Sequence, residues 1–254
     1  MRIMKAATLG AFVALLGAGQ AVASTEAHEP PKVAWSFNGP FGAYDRASVQ
    51  RGFQVYNEVC SNCHSMNLLS YRNLTGIGLS EEQVKAIAAT KQIGGDTDDA
   101  GQPIERAGLP SDKFKSPHPN DKAARAANGG ALPPDQSLII NAREDGSNYV
   151  HALLNGYEEA PPDIKPQAGQ YYNKYMPGNL IAMPPPLNAD QVTYADGTKA
   201  TVEQMSLDVV NFLTWASNPE MEARKRMGVK MVLIFALMTG LTYAVKKQIW
   251  KDVH

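Results

Sequence analysis

The chain has 254 residues, 24 Lys and Arg against 25 Asp and Glu, a net charge of −1 and 44 % hydrophobic residues, an ordinary composition for a folded protein. Near-neutrality argues against a general nucleic-acid binder, which carries a basic excess. Two cysteines exclude a disulfide-dense scaffold, so the spacing of that one pair has to decide what they do.

The first segment reads as an export signal. Arg2 and Lys5 precede an apolar stretch from Ala6 to about Gly19, too short for a comfortable membrane span, and Ala21-Val22-Ala23 supplies the small residues a signal peptidase reads. Residues 1–23 are therefore expected to be removed, and losing Arg2 and Lys5 takes the net charge to −3. Residues 24–222 are expected to form one exported domain, since about 200 residues suffice for a core of their own.

A first helix is predicted from near Ser48, because Val49, Phe53, Tyr56 and Val59 recur at helical spacing. It closes on Cys60-Ser61-Asn62-Cys63-His64, the Cys-x-x-Cys-His motif of c-type haem attachment. Two thiols three residues apart on one helical turn can each join a vinyl group on the same porphyrin edge. The adjacent His64 then lies under the iron as proximal ligand, its other ring nitrogen free to donate to a carbonyl. A zinc site would need further paired ligands, and His28, His118, His151 and His254 are scattered. A thioredoxin-like pair would need a strand before the motif, where the pattern is helical.

Residues 94–119 are polar and rich in Gly, Pro and Asp, and read as a surface excursion. Helices are predicted near Ser137 to Arg143 and near Ser147 to Leu154, with Gly156 in the C-cap position. Residues 158–186 read as loop. Within them stand two methionines that could supply a sixth iron ligand, Met176 and Met183. The stiff Pro184-Pro185-Pro186 beside Met183 favours it on backbone grounds, with Met176 the competitor. Thr201-Val202-Glu203-Gln204 has capping-box spacing and opens a helix with Val202, Met205, Val209, Phe212 and Leu213 inward. Pro219 marks a break. Acidic residues cluster at Asp96, Asp98 and Asp99 and again at Glu158, Glu159 and Asp163; such clusters are ordinarily solvated surface, and the alternative is an acidic rim that steers a basic partner.

Met231 to Val245 is uncharged and, extended back to Met227, is long enough to cross a hydrocarbon core, with Lys230 snorkelling. Residues 223–247 are therefore predicted as a C-terminal membrane anchor and 248–254 as a short cytoplasmic tail. Basic residues flank both ends (Arg224, Lys225 and Arg226; Lys246, Lys247 and Lys251), so orientation follows from the export signal, with the bulk of the chain on the periplasmic side of a bacterial inner membrane.

Several segments together resemble the cytochrome c1 family of quinol–cytochrome c oxidoreductases. They are Cys60 to Met66 with Ser70-Tyr71-Arg72-Asn73-Leu74, Arg125 to Asp135, Tyr149 to Tyr157, Pro177 to Met183 with Pro185-Pro186, and Arg224 to Gly228. The resemblance implies a mainly α, class I cytochrome c-like haem domain with long loops and one C-terminal transmembrane helix. It implies one covalent haem c on Cys60 and Cys63, with His64 and Met183 as axial iron ligands and Arg125 beside a haem propionate. Tyr44, Tyr71 and Arg72 are further candidates to line the crevice. It implies an electron-transfer subunit without independent catalysis. The Rieske iron–sulfur protein would be its donor, a soluble or tethered cytochrome c its acceptor, cytochrome b and the lipid bilayer its other partners, and nucleic acid none. Some members carry an extra disulfide; this chain has no spare cysteine, so packing and proline must hold its ligand loop. The rival readings are a stand-alone anchored cytochrome, a haem enzyme or sensor with an open sixth position, and a haem-free disulfide module.

Overall fold

A computed structural model describes residues 28–252; the segment read as an export signal lies outside the described residues. In chain order the elements are α1 (Arg46–Glu58), α2 (Glu81–Ala89), β1 (Gln92–Thr97), β2 (Pro103–Ala107), α3 (Asp121–Ala127), α4 (Gly146–Asn155), β3 (Tyr171–Tyr172), β4 (Leu180–Ile181), α5 (Val202–Ser217) and α6 (Met221–Ile249). Short 3-10 turns cover Cys60–Asn62 and Tyr71–Ile77. Helices dominate, and the strands form two small antiparallel hairpins, β1–β2 and β3–β4.

Helix α1 starts where Asp45 accepts from the amides of Ala47 (3.0 Å) and Ser48 (3.2 Å), satisfying two otherwise orphaned donors. Its apolar face, Val49, Phe53 and Tyr56, packs on α5, which the Thr201 hydroxyl opens by accepting from Gln204 N at 3.0 Å. Met205, Val209, Phe212 and Leu213 of α5 are buried as the periodicity predicted, with Val202 only half-buried at the end of the stripe. Phe212 forms the hub, in ring contact with Phe53, Tyr56 and Trp215. Such aromatic burial carries much of a core's transfer free energy.

The two helices approach backbone to backbone at Gly52. A Cβ there would stand 1.9 Å from the Asp208 carbonyl oxygen and 2.9 Å from Phe212 Cβ. Beside this contact lies a fully buried carboxylate. Asp208 accepts from Arg51 Nε and Nη2 at 2.9 Å each, from Ser48 Oγ at 2.7 Å and from Gln204 Nε2 at 3.1 Å. Four donors on one carboxylate offset the cost of burying its charge. Arg51 also reaches Asp196 at 2.8 Å, and the carboxylates around it hold its guanidinium well above its ordinary pKa, chiefly through the Asp208 hydrogen bonds.

The structure departs from the sequence reading in several places, among them helix α3 and the β3–β4 hairpin within the segment read as loop. The excursion at 94–119 contains the β1–β2 hairpin, closed by Asp98, whose carboxylate accepts from Ala100 N (2.9 Å) and Gln102 N (2.7 Å). No helix forms at 137–143: the Leu138 carbonyl takes both Asn141 N and Ala142 N at 3.0 Å in a single turn, and Asp145 at φ 48 breaks continuity with α4. Helix α2 went unpredicted although Ser80-Glu81-Glu82-Gln83 spells its capping box, with Gln83 N to Ser80 Oγ at 3.2 Å and Ser80 N to Gln83 Oε1 at 2.8 Å. Gly156 does cap α4, but at φ −93; glycine is needed there for space, since a Cβ would meet Tyr175 Cδ2 at 2.5 Å.

Helix α6 is, among the described residues, the one helix long and apolar enough to cross a membrane, and none of its residues is buried. It is continuous from Met221, so the expected boundary between 222 and 223 falls inside its first turn.

Gly52→Ala should destabilise the domain by at least ~2 kcal/mol, because neither facing atom can move without separating α1 from α5. Chemical denaturation of the two forms checks this; equal midpoints would mean that the helices slide apart freely.

Candidate haem-binding site

The end of α1 delivers the cysteine motif. The chain tightens into a 3-10 turn in which Cys63 N and His64 N both donate to the Cys60 carbonyl, at 3.1 and 2.9 Å. Both cysteines are free, Cys60 half-buried and Cys63 exposed, so one helical turn presents two thiols and an imidazole together. Burial pushes the Cys60 thiol up to about 12, the opposite of the lowered pKa a thioredoxin-like redox pair requires. Among the described residues no group of three or more His, Cys, Asp or Glu is placed to hold a metal ion.

His64 is buried, 9 % exposed, and its Nδ1 lies 2.8 Å from the Pro134 carbonyl. A carbonyl only accepts, so Nδ1 carries the proton and Nε2 keeps its lone pair. Burial lowers the His64 pKa, which favours this neutral form. Among the described residues Nε2 has no hydrogen-bond partner. A buried ring with one nitrogen anchored and the other vacant has the donor set and tautomer of an axial haem ligand.

The segment that offers Pro134 is itself tied to the motif. Asp135 accepts from Ser65 Oγ (2.8 Å), Asn67 N (2.8 Å) and Ser137 N (2.9 Å), Gln136 N donates to Ser65 O (2.8 Å), and Leu68 N donates to Ser137 Oγ (3.0 Å). Burial alone would raise the Asp135 carboxyl; the hydrogen bonds from Ser137, Asn67 and Ser65 outweigh it and hold the pKa below the usual value. Sequence reasoning passed over Pro134 and Asp135 as site residues. Both stand in the Arg125–Asp135 segment that resembles the family, but a carbonyl acceptor has no side-chain signature.

The two candidate methionines differ in their surroundings. Met176 is half-buried and its sulfur accepts from the Tyr149 hydroxyl at 3.6 Å. Met183 is half-buried too, its sulfur has no partner among the described residues, and its carbonyl accepts from the Tyr157 hydroxyl at 3.1 Å. The loop between them is organised without a disulfide. Met176-Pro177-Gly178-Asn179 forms a turn with Asn179 N to Met176 O at 2.7 Å and Gly178 at φ 78, the left-handed residue a type II turn requires after proline. Asn173, fully buried, donates to Leu153 O (2.7 Å) and accepts from Tyr175 N (3.1 Å), pinning β3 to the end of α4. The other described methionines of the domain, Met66 and Met205, are 0 % exposed core.

Arg125 is exposed at the end of α3 and donates to Gly130 O at 3.1 Å, with no carboxylate partner among the described residues. Tyr44 is committed elsewhere: its hydroxyl donates to Asn218 O (2.9 Å), at the end of α5. Tyr71 is buried against Phe114, its hydroxyl accepting from Lys115 N at 3.1 Å, and Arg72 is exposed beside Trp215 and Pro219 in a cleft of about 620 Å³.

The chain matches the model of the Cytochrome C1 family over residues 35–253. It is 45 % identical to a "Cytochrome c1" of Rhodospirillum rubrum, across 99 % of this chain and 98 % of that protein. It is likewise 45 % identical to a "Cytochrome b/c1" of Bradyrhizobium diazoefficiens, over 98 % of this chain and 39 % of that longer protein. A "Cytochrome c1-2, heme protein, mitochondrial" of Solanum tuberosum is 48 % identical over 90 % of each chain.

Tyr157→Phe should loosen the 176–183 loop while leaving the α1–α5 core intact. Loss of one hydrogen bond predicts about 1 kcal/mol of local destabilisation. Hydrogen exchange should speed up in 173–183 and stay unchanged in α1; a uniform change would show that the bond does not hold this loop.

Proposed function

This chain belongs to the cytochrome c1 family, and on that premise we propose that it is the haem-bearing, membrane-anchored electron-transfer subunit of a cytochrome bc1 complex. One observation supports the site most directly: directly after two free cysteines on one turn, a buried imidazole is anchored through Nδ1 and leaves Nε2 unpartnered. Bound haem c supplies a one-electron iron couple.

In this reading Cys60 and Cys63 hold the macrocycle through thioethers, which makes attachment independent of the axial ligands. His64 is the proximal ligand, oriented by Pro134 O. Met183 is the distal ligand. Its thioether is soft and neutral, so it favours the reduced state and raises the potential. The free sulfur of Met183, against the engaged sulfur of Met176, supports that choice. Arg125, unpaired by any described carboxylate, is the proposed partner of a haem propionate, with which a guanidinium could pair bidentately. Were His64 and Met183 both to hold the iron, no position on it would be left for a substrate, and the subunit would move electrons without catalysis of its own.

The Rieske iron–sulfur protein is the proposed donor and a soluble or tethered cytochrome c the proposed acceptor. Cytochrome b is the partner along α6; the name of the Bradyrhizobium relative joins the two cytochromes in one protein. The chain sits in the bacterial inner membrane with the single span α6, the haem domain on the periplasmic side after removal of residues 1–23. Of the two acidic clusters, Glu158 and Glu159 follow directly on Tyr157, whose hydroxyl donates to the Met183 carbonyl, which supports the Glu158, Glu159 and Asp163 cluster as the steering one. Glu159 and Asp163 are exposed, and Glu158 is drawn to Lys174 at 3.5 Å.

Met183→Leu should keep the haem attached, lower its potential and let the reduced iron take up carbon monoxide. A fall of about 60 mV is a tenfold change in a one-electron equilibrium, so a larger fall should halt reduction by a high-potential donor. Met176→Leu should change neither spectrum nor potential. The reverse pattern in a redox titration would assign the ligand to Met176, and no effect of either would remove the ligand from this loop.

The rate of electron delivery to a basic cytochrome c should fall as salt rises toward 0.1 M, where the screening length is about 10 Å. The triple variant E158Q/E159Q/D163N should be slower at low salt and flatter across the series. Stopped-flow rates that stay salt-independent in the native chain would remove the steering role.

A further inference from the structure

We propose that residues 28–37 form a strap that positions the Met183 loop, with the His28 amide as the contact that holds it. This rests on the reading of Met183 as the distal iron ligand. The strap lies along α4 and is anchored at the start of that helix. Val33 N and Trp35 Nε1 both donate to Asn148 Oδ1, at 3.1 and 2.8 Å, and Asn148 Nδ2 donates in turn to Asp145 Oδ1 at 3.0 Å. Lys32 Nζ also pairs with Asp145, at 2.7 Å, a surface ion pair that adds little. Trp35 and Phe37 are buried and stacked at 5.5 Å, Trp35 stands edge-on to His151 at 5.9 Å, and Ser36 between them is exposed. Extended backbone sends alternate side chains to opposite faces, so this half of the strap is fixed in the core.

From that anchor the chain reaches the other end of α4. Pro30 and Pro31 stiffen the segment in between, because each ring fixes its own φ. The five residue steps between Val33 and His28 span about 16 Å in a polyproline II conformation. The eight steps from Asn148 to Gly156 cover about 12 Å of helix axis, so the strap has little slack. At its far end His28 N donates to Lys174 O at 3.1 Å, and the His28 ring meets Tyr175 edge-on at 6.5 Å. Lys174 N in turn donates to Gly156 O at 3.1 Å, at the end of α4.

Lys174 is where a tether has leverage on Met183. Its carbonyl takes a second donor, Asn179 Nδ2 at 3.2 Å, which closes the 173–179 turn from within. Asn179 is buried, in the left-handed region at φ 60, and its carbonyl accepts from Asn173 N at 2.9 Å. Strand β4 starts at the next residue, and Met183 stands two residues after that strand ends. Tyr149, Tyr157 and Asn173 hold this loop from α4 and the residues just beyond it. The strap holds it from a segment remote in sequence, so the loop cannot swing off α4 without breaking the His28 bond. His28 is exposed, and water can replace its amide on the carbonyl. Loss of the bond therefore loosens the loop without unfolding the domain.

Carbon monoxide can take the reduced iron only while Met183 is off it, so its rate of uptake counts openings of the loop. The test measures that rate on the full haem-loaded chain in nonionic detergent. H28P deletes the amide donor and should raise the rate about fivefold, the factor one hydrogen bond contributes to an opening equilibrium. H28A loses the ring, keeps the amide and should match the native chain. S80A removes the cap of α2, a comparable loss of stability outside this loop, and should also match it. An unchanged rate in H28P overturns the proposal. So does an equal rise in H28A, which would make the ring the contact, or in S80A, which would make the rate a measure of overall stability. M183L separates the strap from the reading beneath it. If M183L takes up carbon monoxide at once while H28P behaves as the native chain, the strap alone falls. If M183L takes it up no faster than the native chain, the ligand reading falls and the strap with it.

Discussion

The arrangement depends on α1 and α5 meeting at backbone distance over Gly52, with the Asp208 carboxylate sealed beside that contact by Arg51, Ser48 and Gln204. From this crossing α5 reaches every part of the site. Ser206 Oγ lies 2.6 Å from His151 Nδ1 and fixes α4, from whose end Tyr157 follows. Ser217 Oγ donates to Ser137 O at 3.1 Å and fixes the segment that carries Pro134. Helix α1 ends on the cysteines. Parts separated by more than a hundred residues in sequence therefore share one reference element, and a shift of α5 would move the imidazole, its carbonyl anchor and the methionine loop together.

The two sides of the site are held by different means. On the histidine side, Asp135 and its neighbours lock the 134–137 segment to residues 65–68 with several short hydrogen bonds, so the ring tautomer and orientation are set before any ligand arrives. On the methionine side, the backbone does the holding: a Pro-Gly turn, a buried Asn173 and the Tyr157 hydroxyl on the Met183 carbonyl. For the proposed ligation by Met183, a thioether is a weak ligand, and a loop of low conformational entropy would offset that weakness better than an extra contact to the sulfur. No cross-link is needed for this, consistent with a chain whose two cysteines are both spent on the haem motif.

At its other end the domain passes into the span without a linker. Only Asn218, Pro219 and Glu220 separate α5 from α6, and Glu222 and Lys225 bind the 37–46 segment within the first turn of the new helix. The anchor thus enters the bilayer at an angle set by the domain's own side chains.

Local features were legible in the sequence. The helix leading to Cys60, the turn of Cys-x-x-Cys-His, the capped α5 and the uncharged run of α6 are each written in contiguous residues, because helical periodicity, capping chemistry and membrane length act over a few turns. The capping box of α2 was equally written and went unread. The preference for Met183 over Met176 came from neighbouring prolines and a family resemblance. The structure adds that the Met176 sulfur is already engaged by Tyr149. What only the tertiary structure decided are the contacts made by backbone atoms and by residues far apart in the chain. Pro134 O on His64, Tyr157 on the Met183 carbonyl, Gly52 against Asp208 O and the Tyr44 hydroxyl on Asn218 O all belong to this class. A carbonyl is the same in every residue, and a glycine chosen for closeness looks like any other glycine. Such pairings exist only once packing brings the segments together.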